Sequence, residues 1–304
     1  MLHIQFRYLL FLSFIFFYSQ VNAQMDLLSA IEDSTPQKEF VTNSFKSTRV
    51  IAGQSIENVG PGVLDFRILH RFGRVNEGAY GAFGLDNATI RLGLDYGISK
   101  RFMIGIGRSS YKKEVDAFAK YKLFWQANGG GSPVTVTLLS SVIRDGLEFS
   151  EPDRENYNTS RYSYSFQMLI GRKFSEAFTF QLAPTLIHRN LVKNIGDKND
   201  IYSMGFGTRI KLTKRFALTA EYFLTNPNDL DEGYKNPFAV GVDIETGGHV
   251  FQLHFTNSLG MNDKELITGT TGVWADGDVH FGFNISRVFT LSKPKEFRKG
   301  NKIE

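Results

Sequence analysis

The chain alternates between apolar and polar residues along most of its length. In "GDVHFGFNISRVF", residues 277–289, every second residue from Val279 to Ile285 is apolar, and Phe289 resumes the stripe. The residues between them are polar or small. Successive side chains of a strand point to opposite faces, so this pattern predicts a strand with one face in an apolar environment and the other in water.

The same alternation recurs about twelve times between residues 62 and 290, as in "TIRLGLDYGI" and "YSMGFGTRIKL". The alternating segments are about nine to twelve residues long, which is the length that a tilted strand needs to cross a bilayer. Their connections also alternate, between short ones such as "SKR" and long ones such as residues 258–276. Short turns at one end and long loops at the other are typical of outer-membrane barrels.

A soluble β-sandwich is the alternative architecture, because its strands also alternate apolar and polar residues. Sandwich strands are usually shorter, about five or six residues, and a sandwich has no reason to sort its loops by length. We therefore predict an all-β fold, a transmembrane antiparallel up-and-down β-barrel of about 12 strands. The segment "KSTRVIAGQSIENVG" precedes the first clear strand. It is either an extra strand, which makes 14 strands the alternative, or a piece that lies at the periplasmic mouth or in the lumen.

The N-terminus has the features of a secretory signal peptide, residues 1–23. It contains a basic Arg7, an apolar run over residues 8–18 and a small-residue site at "VNA". An uncleaved anchor is the alternative, but the run is too short to span a membrane as a helix. Beyond it we expect a periplasmic N-terminal segment at 24–56, acting as a plug or an extra strand, a barrel at 57–291 and a polar C-terminal tail at 292–304. The expected location is the cell outer membrane.

Composition narrows the classes of function. Removing the signal peptide takes away one arginine and no acid, which leaves 34 basic against 31 acidic residues and no clustered basic stripe. This balance argues against nucleic-acid binding. The chain has no cysteine, which excludes disulfides, thiolate metal sites and cysteine nucleophiles. Aromatic residues at 14% and 29 glycines fit many alternating strands with small residues on one face.

Charged residues and histidines recur on the polar faces of the predicted strands. We expect thirteen of them to face the lumen: Arg67, Arg71, Arg91, Asp95, Lys120, Lys122, Arg209, Glu221, Asp243, Glu245, His254, Asp278 and His280. One interpretation is a salt-bridge network that fills a narrow barrel, because buried charges need partners. The other is a water-filled pore, because charged walls select ions and small solutes.

Catalytic and metal signatures are absent from the sequence. It contains no GxSxG, HExxH or GxxxxGK[ST] motif. His188 with Asn190, beside a long loop, is the pair to examine for a surface hydrolase. His254 and His280, with Asp278 or Asp243, invite a metal interpretation, but their spacing matches no ligand pattern. We expect no enzyme, no cofactor and no metal.

Four phrases carry a family resemblance: "EDSTPQKEFVTNSFKSTRVI", "LDFRILHRFGRVNEGAYGAFGLD", "LIGRKFSEAFTFQLAPTLIHRN" and "GVDIETGGHVFQLHFTNSLGMNDKELITGTTGVW". Together they resemble an uncharacterised Bacteroidota outer-membrane β-barrel family, a domain of unknown function, over about residues 30 to 290. The resemblance implies a barrel fold and an outer-membrane location. It implies no catalytic residue.

These observations give three hypotheses of function. The first is an outer-membrane pore for small solutes. The second is a non-conducting structural or scaffold barrel that serves a periplasmic or surface partner. The third, a surface hydrolase, rests on the long loops alone. The expected partners are outer-membrane lipid, the barrel assembly machinery that reads the terminal aromatic strand, a small solute and a periplasmic protein, with no nucleic acid.

Overall fold

The computed structural model describes residues 38–149, 152–153, 155–246 and 249–292. The predicted signal peptide, the first part of the predicted N-terminal segment and nearly all of the predicted tail lie outside these residues. The described strands are β1 Glu39–Phe40, β2 Val63–Arg74, β3 Ala88–Gly97, β4 Phe102–Ser109, β5 Val115–Phe124, β6 Ala127–Asn128, β7 Thr135–Arg144, β8 Tyr162–Lys173, β9 Phe178–Arg189, β10 Asp200–Lys211, β11 Phe216–Thr225, β12 Phe238–Thr246, β13 His249–Thr256 and β14 His280–Thr290. A short helix, α1, spans Asp263–Thr268. Short 3-10 turns lie in the loops at Val75–Glu77, Ala82–Gly84, Tyr111–Lys113, Asn158–Arg161, Pro227–Asp229 and Trp274–Asp276.

Twelve of these strands, all except β1 and β6, form a closed barrel. Each pairs antiparallel with the next along the chain, and β14 pairs with β2 to close the sheet, with Ile285 opposite Ile68. Closure pairs the backbone of every barrel strand on both sides, which a sheet in lipid requires. The prediction of an antiparallel barrel of about 12 strands is confirmed. Residues 46–60 add no barrel strand, so the alternative of 14 strands is wrong.

The two ends of the barrel differ in their connections. Short turns at residues 98–101, 174–177 and 212–215 lie at the end where β2 begins, which we call the short-turn end. The opposite, long-loop end carries the segments 145–161, 190–199, 226–237 and 257–279.

No helix among the described residues is long and apolar enough to cross a membrane.

The outer face of the barrel is apolar. On β13, Leu253 is 44% exposed while Gln252 and His254 on either side are buried. Strand β14 follows the predicted alternation, with Phe281, Phe283 and Ile285 on its outer face. It begins at His280 rather than at Gly277, because residues 274–276 form a 3-10 turn that ends at Gly277 in the left-handed conformation, so the stripe starts later than the sequence pattern indicates.

The lumen is filled from both ends. Residues 44–57, the N-terminal insert, are mostly buried and contact inward-facing side chains of strands around the whole barrel. Residues 257–272, the loop insert, include α1 and are also mostly buried. One apolar cluster joins Ala52 of the N-terminal insert and Leu266 of α1 to Ile187 and Phe223 of the wall. The core of this protein therefore lies inside the barrel.

Candidate functional site

The N-terminal insert is anchored by a carboxylate of the barrel wall. Glu221 on β11 accepts hydrogen bonds from the backbone N–H groups of Ile51 at 2.9 Å, Ala52 at 2.9 Å and Gly53 at 3.0 Å. Bonds to an ionised acceptor are stronger than bonds between neutral groups. Glu221 is only 4% exposed, so the three donors take the place of its lost water.

Further wall residues bind the backbone of the same insert. Lys120 Nζ donates to the carbonyl oxygens of Ser55 and Glu57, both at 2.7 Å. Gln181 accepts from Ile56 N at 2.7 Å and donates to the Gln54 carbonyl at 2.8 Å. A segment without regular secondary structure has unpaired backbone groups, and these wall side chains pair them inside the barrel.

Two more wall amides and a buried ion pair add to the contact. Gln252 Nε2 donates to Val50 O at 2.7 Å, and Asn284 Nδ2 donates to Ile51 O at 2.9 Å. Arg49 Nη1 lies 3.4 Å from Asp95 Oδ2, which also accepts from the Thr48 hydroxyl at 2.7 Å. The insert is thus held chiefly by polar bonds that span the wall from β3 to β14.

The loop insert is tied to the wall by a compact charged cluster. Asn262 caps α1 by accepting from Glu265 N at 3.0 Å, and its Nδ2 donates to Glu114 Oε2 at 2.5 Å. Lys264 Nζ lies 2.9 Å from Glu114 Oε1 and also pairs with Glu265. Lys112 Nζ lies 2.8 Å from Glu265 Oε2. Four charges therefore connect α1 to the loop between β4 and β5.

The two carboxylates of this cluster have opposite electrostatic environments. Burial, together with the charge of Glu265, raises the pKa of Glu114 to about 7. Burial acts in the same direction on Glu265, but Lys264 and Lys112 outweigh it and lower the pKa of Glu265 to about 2. At neutral pH the cluster therefore has one firmly ionised acid and one acid near its midpoint.

The two inserts meet near the middle of the barrel. A cavity of about 10 Å³ remains there between Arg49 and Gln54 of the N-terminal insert, Asn262 of the loop insert, and Arg91 and Asp116 of the wall. That volume is at the lower limit for one water molecule. Larger cavities lie towards the ends, about 330 Å³ at the short-turn end beside Lys46 and Glu245, and about 350 Å³ at the long-loop end beside Arg71 and His280.

Most of the charged residues singled out in the sequence are buried against the lumen side of the wall. Those with less than 5% exposure are Arg67, Arg71, Arg91, Asp95, Lys120, Lys122, Arg209, Glu221, Asp243, His254 and His280. Arg209 Nη2 lies 2.9 Å from Glu245 Oε1, Arg67 Nη1 lies 3.0 Å from Asp65 Oδ2, and Lys122 Nζ lies 3.7 Å from Glu57 Oε2. The strongest pair is Arg91 with Asp116, joined by two hydrogen bonds of 2.8 and 2.5 Å.

Two of the thirteen residues lie at the mouths of the barrel. Glu245 is partly exposed at the short-turn end, where it pairs with Arg209 and with Lys46 of the segment that enters the lumen. Asp278 precedes β14, and the expectation that it faces the lumen is wrong. Because the strand starts only at His280, Asp278 lies in the loop and pairs with Arg74 at 2.9 Å.

Arg71 differs from the other buried arginines of the wall. Its Nη1 donates to His70 O at 3.0 Å and to Asn284 Oδ1 at 3.2 Å, while Nε and Nη2 have no partner among the described residues. The side chain of His254 packs near it, since a Cβ added at Gly282 would contact both. A buried guanidinium without a carboxylate carries a desolvation cost that the paired arginines offset.

The residues of the histidine pairs considered in the sequence are not joined to each other, and neither ring nitrogen of His254 has a hydrogen-bond partner among the described residues. His280 Nδ1 lies 2.9 Å from Phe72 O. His188 lies 2.6 Å from Asp200 on the neighbouring strand, and Asn190 donates to Thr159 O at 2.7 Å. Among the described residues no group of three or more histidine and acidic side chains is placed to hold a metal ion.

Sequence reasoning missed several residues that pair with the inward-facing charges or hold the inserts. Asp65 and Asp116 share a strand face with Arg67 and Lys120, so the two-residue period was sufficient to find them. Gln181, Gln252 and Asn284 lie on the same inward faces, but uncharged side chains give no electrostatic signal. Glu114 and Glu265 lie in loops, where no periodicity marks them.

Comparison with known proteins identifies the family of this barrel. Residues 45–289 match the family described as "Membrane bound beta barrel domain (DUF5777)". The chain belongs to this family. The sequence resemblance is therefore confirmed as far as a membrane-bound barrel family of unknown function. No curated protein matches the chain.

Solved porin structures are similar to this chain in fold alone. A NanC porin structure in a rhombohedral crystal form is 10% identical with a TM-score of 0.46, over 74% of this chain and 98% of the porin. The KdgM porin is 9% identical with a TM-score of 0.47, over 75% of this chain and 99% of the porin. A second KdgM structure, a complex with disordered oligogalacturonate, is 8% identical with a TM-score of 0.45, over 75% and 99% of the two chains.

Proposed function

We propose that this membrane-bound barrel resides in the outer membrane, is closed at rest by its N-terminal insert, and passes small polar solutes when the insert leaves the lumen. The observation that carries the proposal is the chemistry of the contact between insert and wall. Glu221, Lys120 and Gln181 bind the insert through hydrogen bonds that water can replace. A wall of this kind favours a hydrated lumen once the insert is gone.

The outer-membrane location is supported by the shape of the barrel. Its strands are 8 to 12 residues long, with an apolar outer face and an even strand number. Short turns at one end and long loops at the other are the arrangement of bacterial outer-membrane barrels. By that rule the short-turn end faces the periplasm and the long-loop end faces the exterior.

The preference for small polar solutes follows from the mixed charges of the wall. Arg67, Arg91 and Lys120 contribute positive charge, while Asp116, Glu221 and Asp243 contribute negative charge. Most of these charges pair with each other or with the insert, so the freed wall has no single dominant sign. A narrow passage of this type admits hydrated solutes by size more than by charge.

The second candidate function is a non-conducting structural barrel, and the loop insert favours it. The cluster of Glu114, Lys264 and Glu265 ties α1 to the wall independently of the N-terminal insert. Leu266 and Ile267 also pack in one apolar cluster with Ala52 and the wall. If both inserts are permanent, the lumen is a folded core and the barrel serves a partner protein.

Single-channel conductance in planar bilayers distinguishes the two functions. The variants are the mature chain, a chain lacking residues 24–56, and Glu221→Gln, with Glu176→Gln as the matched control at an exposed short turn. We expect silence from the mature chain and the control, and openings from the deletion and from Glu221→Gln. Steady conductance of the mature chain would show that the insert does not close the barrel. Silence of all four chains, with folding verified by circular dichroism, would favour the structural barrel.

A further inference from the structure

Two exposed arginines lie on the outer face of the barrel at the long-loop end. Arg108 on β4 and Arg144 on β7 are both register partners of Val115, which lies between them on β5. Val115 is 38% exposed on the outer face, and register partners in a sheet point to the same side. Two strand spacings separate the arginine Cα atoms by about 10 Å, a distance that two long side chains can close around one ligand.

The two arginines of this pair have no carboxylate in ion-pair contact among the described residues. Arg108 Nη1 donates to Ser109 O at 2.9 Å. Of the acids nearest in sequence, Asp116 pairs with Arg91, Glu114 pairs with Lys264, Asp145 accepts from the backbone N–H of Leu147, and Glu148 is exposed in the loop after β7. Lys113, exposed in the loop between β4 and β5, adds a third positive charge at this end.

An apolar groove of about 640 Å³ begins directly below the arginine pair. Ile106, Ala117 and Val142, which line it, are each one same-face step from Arg108, Val115 and Arg144. The groove exists because β5 carries Ala117 and Ala119 between the larger Ile106 and Ile104 of β4 and the side chains of β7 and β8. A lipid-facing wall of larger residues on β5 would fill this space.

We propose that the arginine pair and the groove together bind one lipid of the outer leaflet, a glycolipid that carries a phosphate monoester. The phosphate lies between the two guanidinium groups, and one acyl chain lies in the groove. Guanidinium groups bind phosphate through paired, charge-assisted hydrogen bonds, and the doubly charged monoester matches two or three cations. The choice of leaflet rests on the proposed outer-membrane orientation, in which the long-loop end faces the exterior.

Native mass spectrometry of the full mature chain in neutral detergent tests this site. The probes are a diphosphorylated lipid A, the same glycolipid without phosphate, and phosphatidylglycerol. We expect lipid A to bind, and the double variant Arg108→Gln/Arg144→Gln to weaken that binding by about tenfold or more. Ala117→Phe fills the groove without changing charge and is expected to weaken binding to a similar degree.

The matched control is Arg172→Gln/Arg287→Gln. These two arginines are also exposed on the outer face, but they lie near the short-turn end, so their loss is expected to leave lipid A binding unchanged. Equal binding of the dephosphorylated glycolipid, or an equal loss in the control, would overturn the site. Equal affinity for phosphatidylglycerol would overturn the assignment to a phosphate monoester. Because no conductance is measured, failure of this site is independent of failure of the proposed channel.

Discussion

Glu221 Oε2 accepts a hydrogen bond from Ile51 N at 2.9 Å, which joins the barrel wall to the segment inside it. The next two N–H groups of the insert point to the same carboxylate. Successive backbone N–H groups that converge in this way form a nest for an anion. Here the wall supplies the anion, so a single side chain fixes the deepest part of the insert.

Glu221→Gln is expected to loosen the insert. The amide keeps the size of the carboxylate, but it loses the charge and presents its own N–H donors to three backbone donors. Leaving buried donors unpaired costs about 1–3 kcal/mol, which raises the exposure of the insert by about 5- to 150-fold. The chain has no cysteine, so Ser55→Cys, a buried position of the insert, reports that exposure through its rate of maleimide labelling.

The matched control for this prediction is Glu176→Gln in the same Ser55→Cys background. Glu176 is exposed and pairs with Lys173 three residues earlier, so its charge has no contact with the lumen. Equal labelling rates in the control and in Glu221→Gln would show that other contacts hold the insert.

Gly53 of the insert allows a close approach to the wall. A Cβ at this position would lie 2.9 Å from Phe223 Cζ and 3.2 Å from Glu221 Oε2. Gly53→Ala is therefore expected to cost about 1–3 kcal/mol of unfolding free energy and to speed labelling at position 55, because the ring or the insert must shift. Gly60→Ala is the control, since its Cβ would meet Val63 at an ordinary 3.6 Å. Equal stability of the two variants would show that the wall rearranges around the added methyl group with no loss of unfolding free energy.

The fold was predictable from sequence because lipid imposes one rule on every strand. Residues that face the hydrocarbon core of the bilayer are apolar, so the alternation through Leu253 or Phe283 is visible in the sequence without any knowledge of neighbours. The same rule predicts which charges face inward, as with Arg91 and Lys120. The prediction for Asp278 is wrong because β14 starts only at His280, after a 3-10 turn that ends at Gly277, whereas the apolar-polar alternation in the sequence extends back into that loop.

The contents of the lumen were not predictable in the same way. Residues 44–57 have no repeating pattern, because the segment contacts several different strands of a closed wall. Ile51 meets Glu221, which is 170 residues away in sequence, and Ile56 meets Gln181, which is 125 residues away. Such pairings depend on barrel closure, so the sequence left the plug and the extra strand as equal alternatives.

Arg91 and Arg71 are expected to respond differently to replacement by methionine. Arg91→Met leaves the buried carboxylate of Asp116 without its partner and is expected to cost about 3–5 kcal/mol. Arg71→Met removes a buried charge that has two unpartnered nitrogens and no carboxylate of the described residues within ion-pair distance, so its expected change is below about 1 kcal/mol. Urea-induced unfolding in lipid vesicles measures both. A similar loss of unfolding free energy in the two variants would contradict the conclusion that Arg91 has an ion-pair partner and Arg71 does not.

The stability of the loop insert is expected to depend on pH through Glu114. The pKa of this acid rises from 4.5 to about 7 in the folded protein, so between those values the folded chain holds a proton that the unfolded chain has lost. The free energy of unfolding therefore falls by about 3 kcal/mol as pH rises from 4.5 through 7. Glu265 acts oppositely: its pKa falls to about 2, so its contribution is lost as pH falls below 4.5.

Glu114→Gln is the variant that tests this pH dependence. Its side chain cannot ionise. The decrease in unfolding free energy between pH 5 and pH 8 is therefore expected to shrink by most of the about 3 kcal/mol that Glu114 contributes. Glu148→Gln, an exposed change in the next long loop, is the control and is expected to keep the wild-type profile. If the unfolding free energies of the wild-type protein and both variants changed with pH in parallel, the titrating group would be a residue other than Glu114.

The depth of the barrel in the bilayer can be measured with two outward substitutions. Leu253 lies near the middle of β13 and is 44% exposed, and Phe216 begins β11 at the short-turn end with the same exposure. An arginine on the lipid face costs about 2–4 kcal/mol at the bilayer midplane and about 0–1 kcal/mol near the interface. Leu253→Arg is therefore expected to be much more costly than Phe216→Arg in lipid vesicles. In detergent micelles the difference should shrink, because a micelle deforms around the charge. Equal costs in vesicles would mean that residue 253 does not lie at the centre of the membrane.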